Sequence, residues 1–287
     1  LPYNEYRLED TVNQIPGDKI FVDNPDSKWK IYEKTDPYIY KRLQSPDVDY
    51  NQEFGYKSVC TADGKFLIVS APGDRGDTEA GISPYSQGTI YFFTREENDP
   101  GSSFNLVRSF TMSDSDVGTG RLGESLSIST DENFVTAGAP YANILSADGS
   151  SRTNNAGTVH MYAWSTALRS YEDFTTFTAP EGDITQGLNY GWDHVIAEAT
   201  ANSTKETTQK YLLISAPGYD DDTGKIYFYT YTPVSDDSTV AAWTQGTAIT
   251  GGEPGKRFGH RMAINDNGDI LAVSSISLGD GGKVEIF

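Results

Sequence analysis

A single cysteine, Cys60, excludes any internal disulfide, and its setting in the apolar stretch Ser58-Val59-Cys60 predicts a buried, inert thiol rather than a nucleophile. Histidine is nearly as scarce. The three present, His160, His194 and His260, form no pair at metal-ligand spacing, and no nucleophile elbow occurs. Apolar runs such as residues 66–69 and 211–214 are too short to cross a bilayer, so no membrane insertion is expected. No helical i, i+3, i+4, i+7 pattern is sustained. Cationic runs are missing as well: 22 Lys and Arg face 41 Asp and Glu, for a net charge of −19. That field repels nucleic acid and anionic membrane surfaces, which removes both as expected partners. No signal-peptide pattern is visible and the first residue is Leu1, so a processed product or a piece of a longer chain is expected.

What the chain has in quantity is aromatic residues and turn formers: 18 Tyr and 13 Phe favour strands, and 28 Gly with 13 Pro require frequent turns. It also has a period. Gly55, Gly123, Gly191 and Gly259 stand 68 residues apart, each after a large apolar residue: Phe54, Leu122, Tyr190 and Phe258. Sixteen residues beyond the first two come Ser70-Ala71-Pro72 and Gly138-Ala139-Pro140. The third copy, Ser215-Ala216-Pro217, is delayed by nine residues, and the fourth is worn to Ser274-Ser275-Ile276. A fixed period means one supersecondary unit, copied.

Each copy reads as four strands. The first follows the glycine (56–61, 124–129, 192–197, 260–264), and a polar turn such as Ala62-Asp63-Gly64-Lys65 leads into an intensely apolar second strand. The Ala-Pro step ends its pairing, because proline cannot donate to the ladder. A third strand opens on Gly88, Gly157, Gly224 or Gly282, and a weaker fourth follows; residues 198–209 read as an extra loop. Four short antiparallel strands per repeat predict an all-β fold, a β-propeller of four clear blades plus a partial N-terminal one, about five in all. Residues 51–287 carry the clear repeats. Residues 1–50 read as a divergent partial copy, with residues 3–8 able to close the ring as an outer strand.

The pairs Phe54-Gly55 with Ala71-Pro72, Leu122-Gly123 with Gly138-Ala139-Pro140, Tyr190-Gly191 with Ala216-Pro217, and Phe258-Gly259 resemble FG-GAP repeats, the propeller blades of integrin α chains and many microbial surface proteins. A looser resemblance, carried by the leader Gly17-Asp18-Lys19-Ile20-Phe21-Val22-Asp23 and by Trp29-Lys30-Ile31-Tyr32, is to large virion structural proteins of phages infecting marine cyanobacteria. These resemblances imply a phage tail or baseplate appendage or a cell-surface protein, located on a virion or outside cells. The implied partners are other virion or surface subunits and a host receptor or glycan, within a larger assembly.

Family members often bind calcium in the hairpin between their first two strands. The equivalent turns here, Ala62-Asp63-Gly64-Lys65 and Thr130-Asp131-Glu132-Asn133, are too short and too poor in acids, so that site is not carried over and no cofactor is expected. Asp114 and Asp116, Asp220 and Asp222, and Asp47 and Asp49 remain weak cation candidates, more simply read as solvated turns. Arg75-Gly76-Asp77 spells an integrin-recognised tripeptide and is a weak binding candidate in a loop. His260 and Trp192 occupy the same slot as Tyr56 and Glu124, which reads as a position tolerating any residue. Trp164, Trp192 and Trp243 are packing residues first and a sugar-stacking surface second. The expectation is therefore a non-catalytic structural or adhesion module presenting loops 73–88, 141–157 and 198–210. The alternative is a polysaccharide-acting glycosidase or lyase with carboxylates around an axial site.

Overall fold

The computed structural model describes residues 19–22, 30–33, 43–46, 52–75, 77–78, 81–82, 86–95, 103–112, 119–146, 148–200, 208–233, 242–265, 268–277 and 281–287. Contacts divide the chain into two compact units, Leu1–Gln44 with Glu96–Ser103, and Ser45–Arg95 with Phe104–Phe287. In the first unit β1 (Lys19–Val22) pairs antiparallel with β2 (Lys30–Glu33), Lys19 opposite Glu33. The ring-closing strand expected at residues 3–8 lies outside the described residues.

In the second unit each repeat folds as a sheet of its own. The first has β3 (Ser58–Cys60), β4 (Phe66–Ala71), a small hairpin of β5 (Asp77–Thr78) and β6 (Gly81–Ile82), then β7 (Thr89–Thr94) and β8 (Asn105–Thr111); the sheet order is β3-β4-β7-β8. The second has β9 (Ser125–Ile128), β10 (Phe134–Ala139), a hairpin of β11 (Ile144–Leu145) and β12 (Arg152–Thr153), β13 (Thr158–Ser165) and β14 (Ser170–Phe177), ordered β9-β10-β13-β14. The third is β15 (His194–Thr200), β16 (Thr208–Ala216), β17 (Lys225–Thr232) and β18 (Ala242–Gln245), with β19 (Ile249–Thr250) also on β17. The fourth shows β20 (Arg261–Ile264), β21 (Leu271–Ser275) and β22 (Lys283–Ile286). This is an all-β fold of antiparallel propeller blades.

The second strands stop where the sequence requires: β4, β10 and β16 end at Ala71, Ala139 and Ala216, each followed by proline. Their apolarity matches burial on both faces; in β10 every residue is buried. The expected loop at 198–209 is instead a longer hairpin, because β15 and β16 stay paired out to Thr200 opposite Thr208.

Three apolar clusters fill the seams between successive blades. Ile68, Ile90 and Phe92 of the first blade meet Val135, Ala137 and Tyr162 of the second. Val159, Met161 and Phe177 then meet Ile214, Tyr227 and Tyr229 of the third. Leu213 and Ile226 meet Met262 and Val273 of the fourth. The third-strand aromatics pack between blades as expected.

Glycine is required where one blade's backbone touches the next. A Cβ on Gly157 would lie 2.1 Å from the Tyr190 carbonyl oxygen, and one on Gly224 2.1 Å from that of Phe258. Both glycines have φ near 85°, a conformation closed to most L-residues. Backbone hydrogen bonds cross at the same stations, Tyr190 N–H to Ala156 and Phe258 N–H to Thr223. The period of 68 therefore marks matching places on consecutive blades.

Candidate functional site

The first strands β3, β9, β15 and β20 lie side by side, so side chains at the start of each converge from all four blades. Two residues before each repeat glycine the backbone is left-handed although the residue is not glycine: Glu53 (φ 58°), Arg121 (56°), Asn189 (55°) and Arg257 (48°). Each such conformation costs an L-residue about 1–2 kcal/mol. The strain is fixed by a tight turn, in which the N–H of Tyr56, Glu124 or Trp192 donates to the carbonyl of Glu53, Arg121 or Asn189. Non-glycine strain of this kind gathers at functional sites, and here it is repeated around one mouth.

Side chains at these stations bond across the seams. Arg121 donates to Glu53 of the preceding blade at 2.6 Å and to Glu124 of its own at 3.0 Å. The Tyr56 hydroxyl donates to the other oxygen of Glu124 at 2.7 Å, and this bond raises the phenol's pKa, with burial adding to it. On the third and fourth blades Trp192 is the centre. Tyr141 meets its ring at 6.0 Å, His260 at 5.6 Å, and the Arg257 guanidinium lies 5.4 Å above it. Asp222 holds Arg257 in place at 3.0 Å.

The titratable groups around Trp192 are pushed apart. Burial, then the positive charges of Arg261 and Arg257, lower the pKa of His260, so its imidazole is neutral at neutral pH. Burial, then the charge of Glu124, raise the pKa of Tyr141, so its phenol keeps its proton. One residue further along, Asp193 lies within reach of the positive charges of Arg261 and Lys57. Asp193 is raised by burial, offset by the N–H of Met262, which donates to it at 2.7 Å from the next blade. Four cations, Lys57, Arg121, Arg257 and Arg261, thus meet four carboxylates, Glu53, Glu124, Asp193 and Asp222, at this mouth.

Other polar pairs join blades. Ser125 and His194 sit 2.8 Å apart and look like a nucleophile and base, but both are buried and the other ring nitrogen of His194 contacts the Thr136 carbonyl at 3.1 Å. That pair is a latch between the second and third blades. At the far ends of the first strands, Lys210 bonds Asp131 at 2.7 Å, with Glu198 at 3.7 Å.

The candidates from sequence fare unevenly. Asp114, Asp116, Asp47, Asp49 and Gly76 lie outside the described residues. Arg75 is half-buried, and Asp77 opens the short strand β5. Asp222 is engaged by Arg257, while Asp220 and Asp221 share its left-handed backbone. No group of three or more His, Cys, Asp or Glu among the described residues is arranged to hold a metal ion. The hairpin acids Asp63 and Asp131 accept hydrogen bonds from Thr61 and Ser129, which builds the turns. Cys60, expected inside, is exposed, because β3 alternates exposed, half-buried, exposed along its three residues. Trp164 packs on Phe66 and Tyr171, and Trp243 on Phe134 and Tyr231; of these three tryptophans Trp192 is the one at the mouth. Arg121, Tyr141 and Arg257 were missed. Their signal was the column two residues before the glycine and, for Tyr141, the residue after Ala-Pro.

No family model and no curated protein matches the chain. Solved structures with a similar course include a putative 6-phosphogluconolactonase from Bacteroides uniformis, with 12% identity and a TM-score of 0.44 over 93% of this chain and 63% of that one. A second putative 6-phosphogluconolactonase, from Bacteroides fragilis, gives 13% identity and a TM-score of 0.44 over 94% and 63%. A protein from Lactobacillus plantarum gives 12% and 0.37 over 94% and 63%. The chain thus spans 63% of the length of these structures. These findings correct two expectations. The FG-GAP and phage-virion resemblance finds no matching family, and the first two structures described above are named putative 6-phosphogluconolactonases. The non-catalytic structural or adhesive expectation is corrected only to this extent: the first two structures bear the name of a putative 6-phosphogluconolactonase and not of a structural or adhesive protein. In this chain Leu122, Tyr190 and Phe258 before glycine and Ala71, Ala139 and Ala216 before proline are buried packing residues, and motifs that serve packing do not fix a function.

Proposed function

We propose that the mouth around Trp192 is the active site of a lyase that cleaves uronate-bearing polysaccharide by β-elimination. One observation carries this: His260 and Tyr141 flank the same indole with pKa values displaced in opposite directions, the arrangement expected of a base and an acid. Trp192 gives a sugar ring an apolar face to stack on. Arg257 and Arg261 supply positive charge for the substrate carboxylate, which makes the neighbouring C5 proton more acidic. Neutral His260 takes that proton. The electron pair left behind forms the C4–C5 double bond, the C4–O bond breaks, and the departing oxygen takes the proton of Tyr141. Atoms and charge balance, and no metal or redox partner is needed. Arg121 offsets one of the two charges of Glu53 and Glu124, and Lys57, Arg257 and Arg261 offset the rest together with Asp193 and Asp222, so the mouth is close to neutral in a chain whose net charge is −19.

The Tyr56–Glu124 pair favours a second reading, a glycosidase in which Glu124 takes the phenolic proton as Tyr56 attacks the anomeric carbon, the glycosidic C–O bond breaks, the leaving oxygen takes that proton from Glu124, and water then releases the sugar from Tyr56. One assay separates the two. The protein is incubated with pectate, alginate, hyaluronan and neutral glucans, and both the ultraviolet absorbance of unsaturated ends and the total reducing ends are followed. Absorbance rising with chain ends on a uronate polymer is the expected outcome. New ends without it would move the chemistry to Tyr56. No new ends on any polymer would refute both.

A further inference from the structure

A cavity of about 220 Å³, with none of the mouth residues named above among its lining, is bounded by Glu253, Lys256, Ser275, Ser277, Gly282 and Lys283, together with Ile276 and Gly281. We infer that it is a binding subsite for one hydroxylated oxyanion, a sugar acid or a sugar phosphate. The charge is the first reason. In a chain this acidic, two ammonium groups share one small cavity, and Lys283 stands directly opposite Ser275 across the β21–β22 ladder. The second is independent: Ser275 is only 3% exposed, yet its hydroxyl has no hydrogen-bond partner among the described residues. A buried hydroxyl without a partner costs about 1–3 kcal/mol, a cost that a ligand oxygen beside it would remove.

The remaining lining defines the ligand further. Lys283 reaches Glu285 at 3.3 Å, an ion pair that an oxyanion with charge-assisted bonds would displace. Glu253 brings a carboxylate to the same cavity, which disfavours a bare anion and favours one carrying hydroxyls that can donate to it. Gly282 is needed for closure, since a Cβ there would lie 2.9 Å from the Ser275 carbonyl oxygen. The volume is below the ~300–1,000 Å³ of sites for drug-sized ligands, which limits the occupant to a single sugar unit.

Titration calorimetry of the full chain with galacturonate, galactose 1-phosphate and neutral galactose tests the inference. Saturable binding of at least one anion and none of galactose is expected, weakened about tenfold or more by Lys256→Met and by Lys283→Met. Ser275→Ala is expected to weaken it by a smaller factor while raising the melting temperature of the free protein, because the unpartnered hydroxyl is gone. Trp192→Ala, which removes the platform of the proposed active site, is expected to leave this affinity as it was. Saturation by only one anion names the ligand's charged group. Absence of saturable binding by both, or affinities within about twofold in both lysine variants, overturns the subsite. If the affinity falls only in Trp192→Ala, the anion binds at the mouth and the subsite is likewise overturned.

Discussion

The Tyr56 hydroxyl donates a 2.7 Å hydrogen bond to Glu124, the residue one full repeat further along the chain. The bond spans the seam between two blades, at the level where Arg121 ties Glu53 to the same carboxylate. Equivalent positions on neighbouring blades have become partners. Since Tyr56 is 42% exposed, the bond's contribution to stability is small. Tyr56→Phe should cost about 0.5–1 kcal/mol in urea unfolding. In a double-mutant cycle with Glu124→Gln the two losses should fall short of adding; full additivity would show that the bond is not formed in solution.

If His260 and Tyr141 are base and acid, activity should follow a bell-shaped pH profile. Its acid limb should lie below the usual imidazole value of about 6.5 and its alkaline limb above about 10, the directions of the two shifts. His260→Asn should lower kcat about 10²–10⁴-fold and remove the acid limb. An acid limb that persists in this variant assigns the base elsewhere.

Burial lowers the pKa of His194 to about 4, against about 6.5 in an unfolded chain. The unfolded state therefore takes up the proton first. The stability contributed by the neutral imidazole is complete above pH ~6.5 and is lost as pH falls towards ~4, by about 3 kcal/mol. Unfolding free energies at about pH 7.5 and about pH 4.5 should differ more in the wild type than in His194→Asn. An equal pH dependence in both proteins would mean that the latch does not respond to acid.

Gly157→Ala should destabilise strongly, by about 3 kcal/mol or more, since it combines left-handed strain with a Cβ 2.1 Å from backbone of the next blade. Gly149→Ala, at a similar positive φ but with nothing within 4 Å, should cost only about 1 kcal/mol. Thermal melts of the two variants check the contrast. Similar losses would show that the approach between blades is looser than described.

The four-strand repeat and its boundaries were legible because they rest on local rules. Proline after Ala71, Ala139 and Ala216 stops a ladder, and a continuously apolar strand such as Phe134–Ala139 must be buried on both faces. The site was hidden for a related reason. Tyr56, Glu124, Trp192 and His260 share one slot after the glycine, and their differences read as tolerance. That column varies because its members face one another around a common mouth, where each blade contributes a different group. Cys60 was misjudged likewise: three residues of β3 cannot show which side faces solvent.

From its own residues the chain determined that it is all-β, that one module recurs every 68 positions, and where each inner strand ends, since turn chemistry and apolar period act between near neighbours in sequence. Only the tertiary structure decided which side chains meet. Arg121 finds Glu53, and Trp192 gathers Tyr141, Arg257 and His260, because packing one blade against the next converts a separation of dozens of residues into a few ångströms.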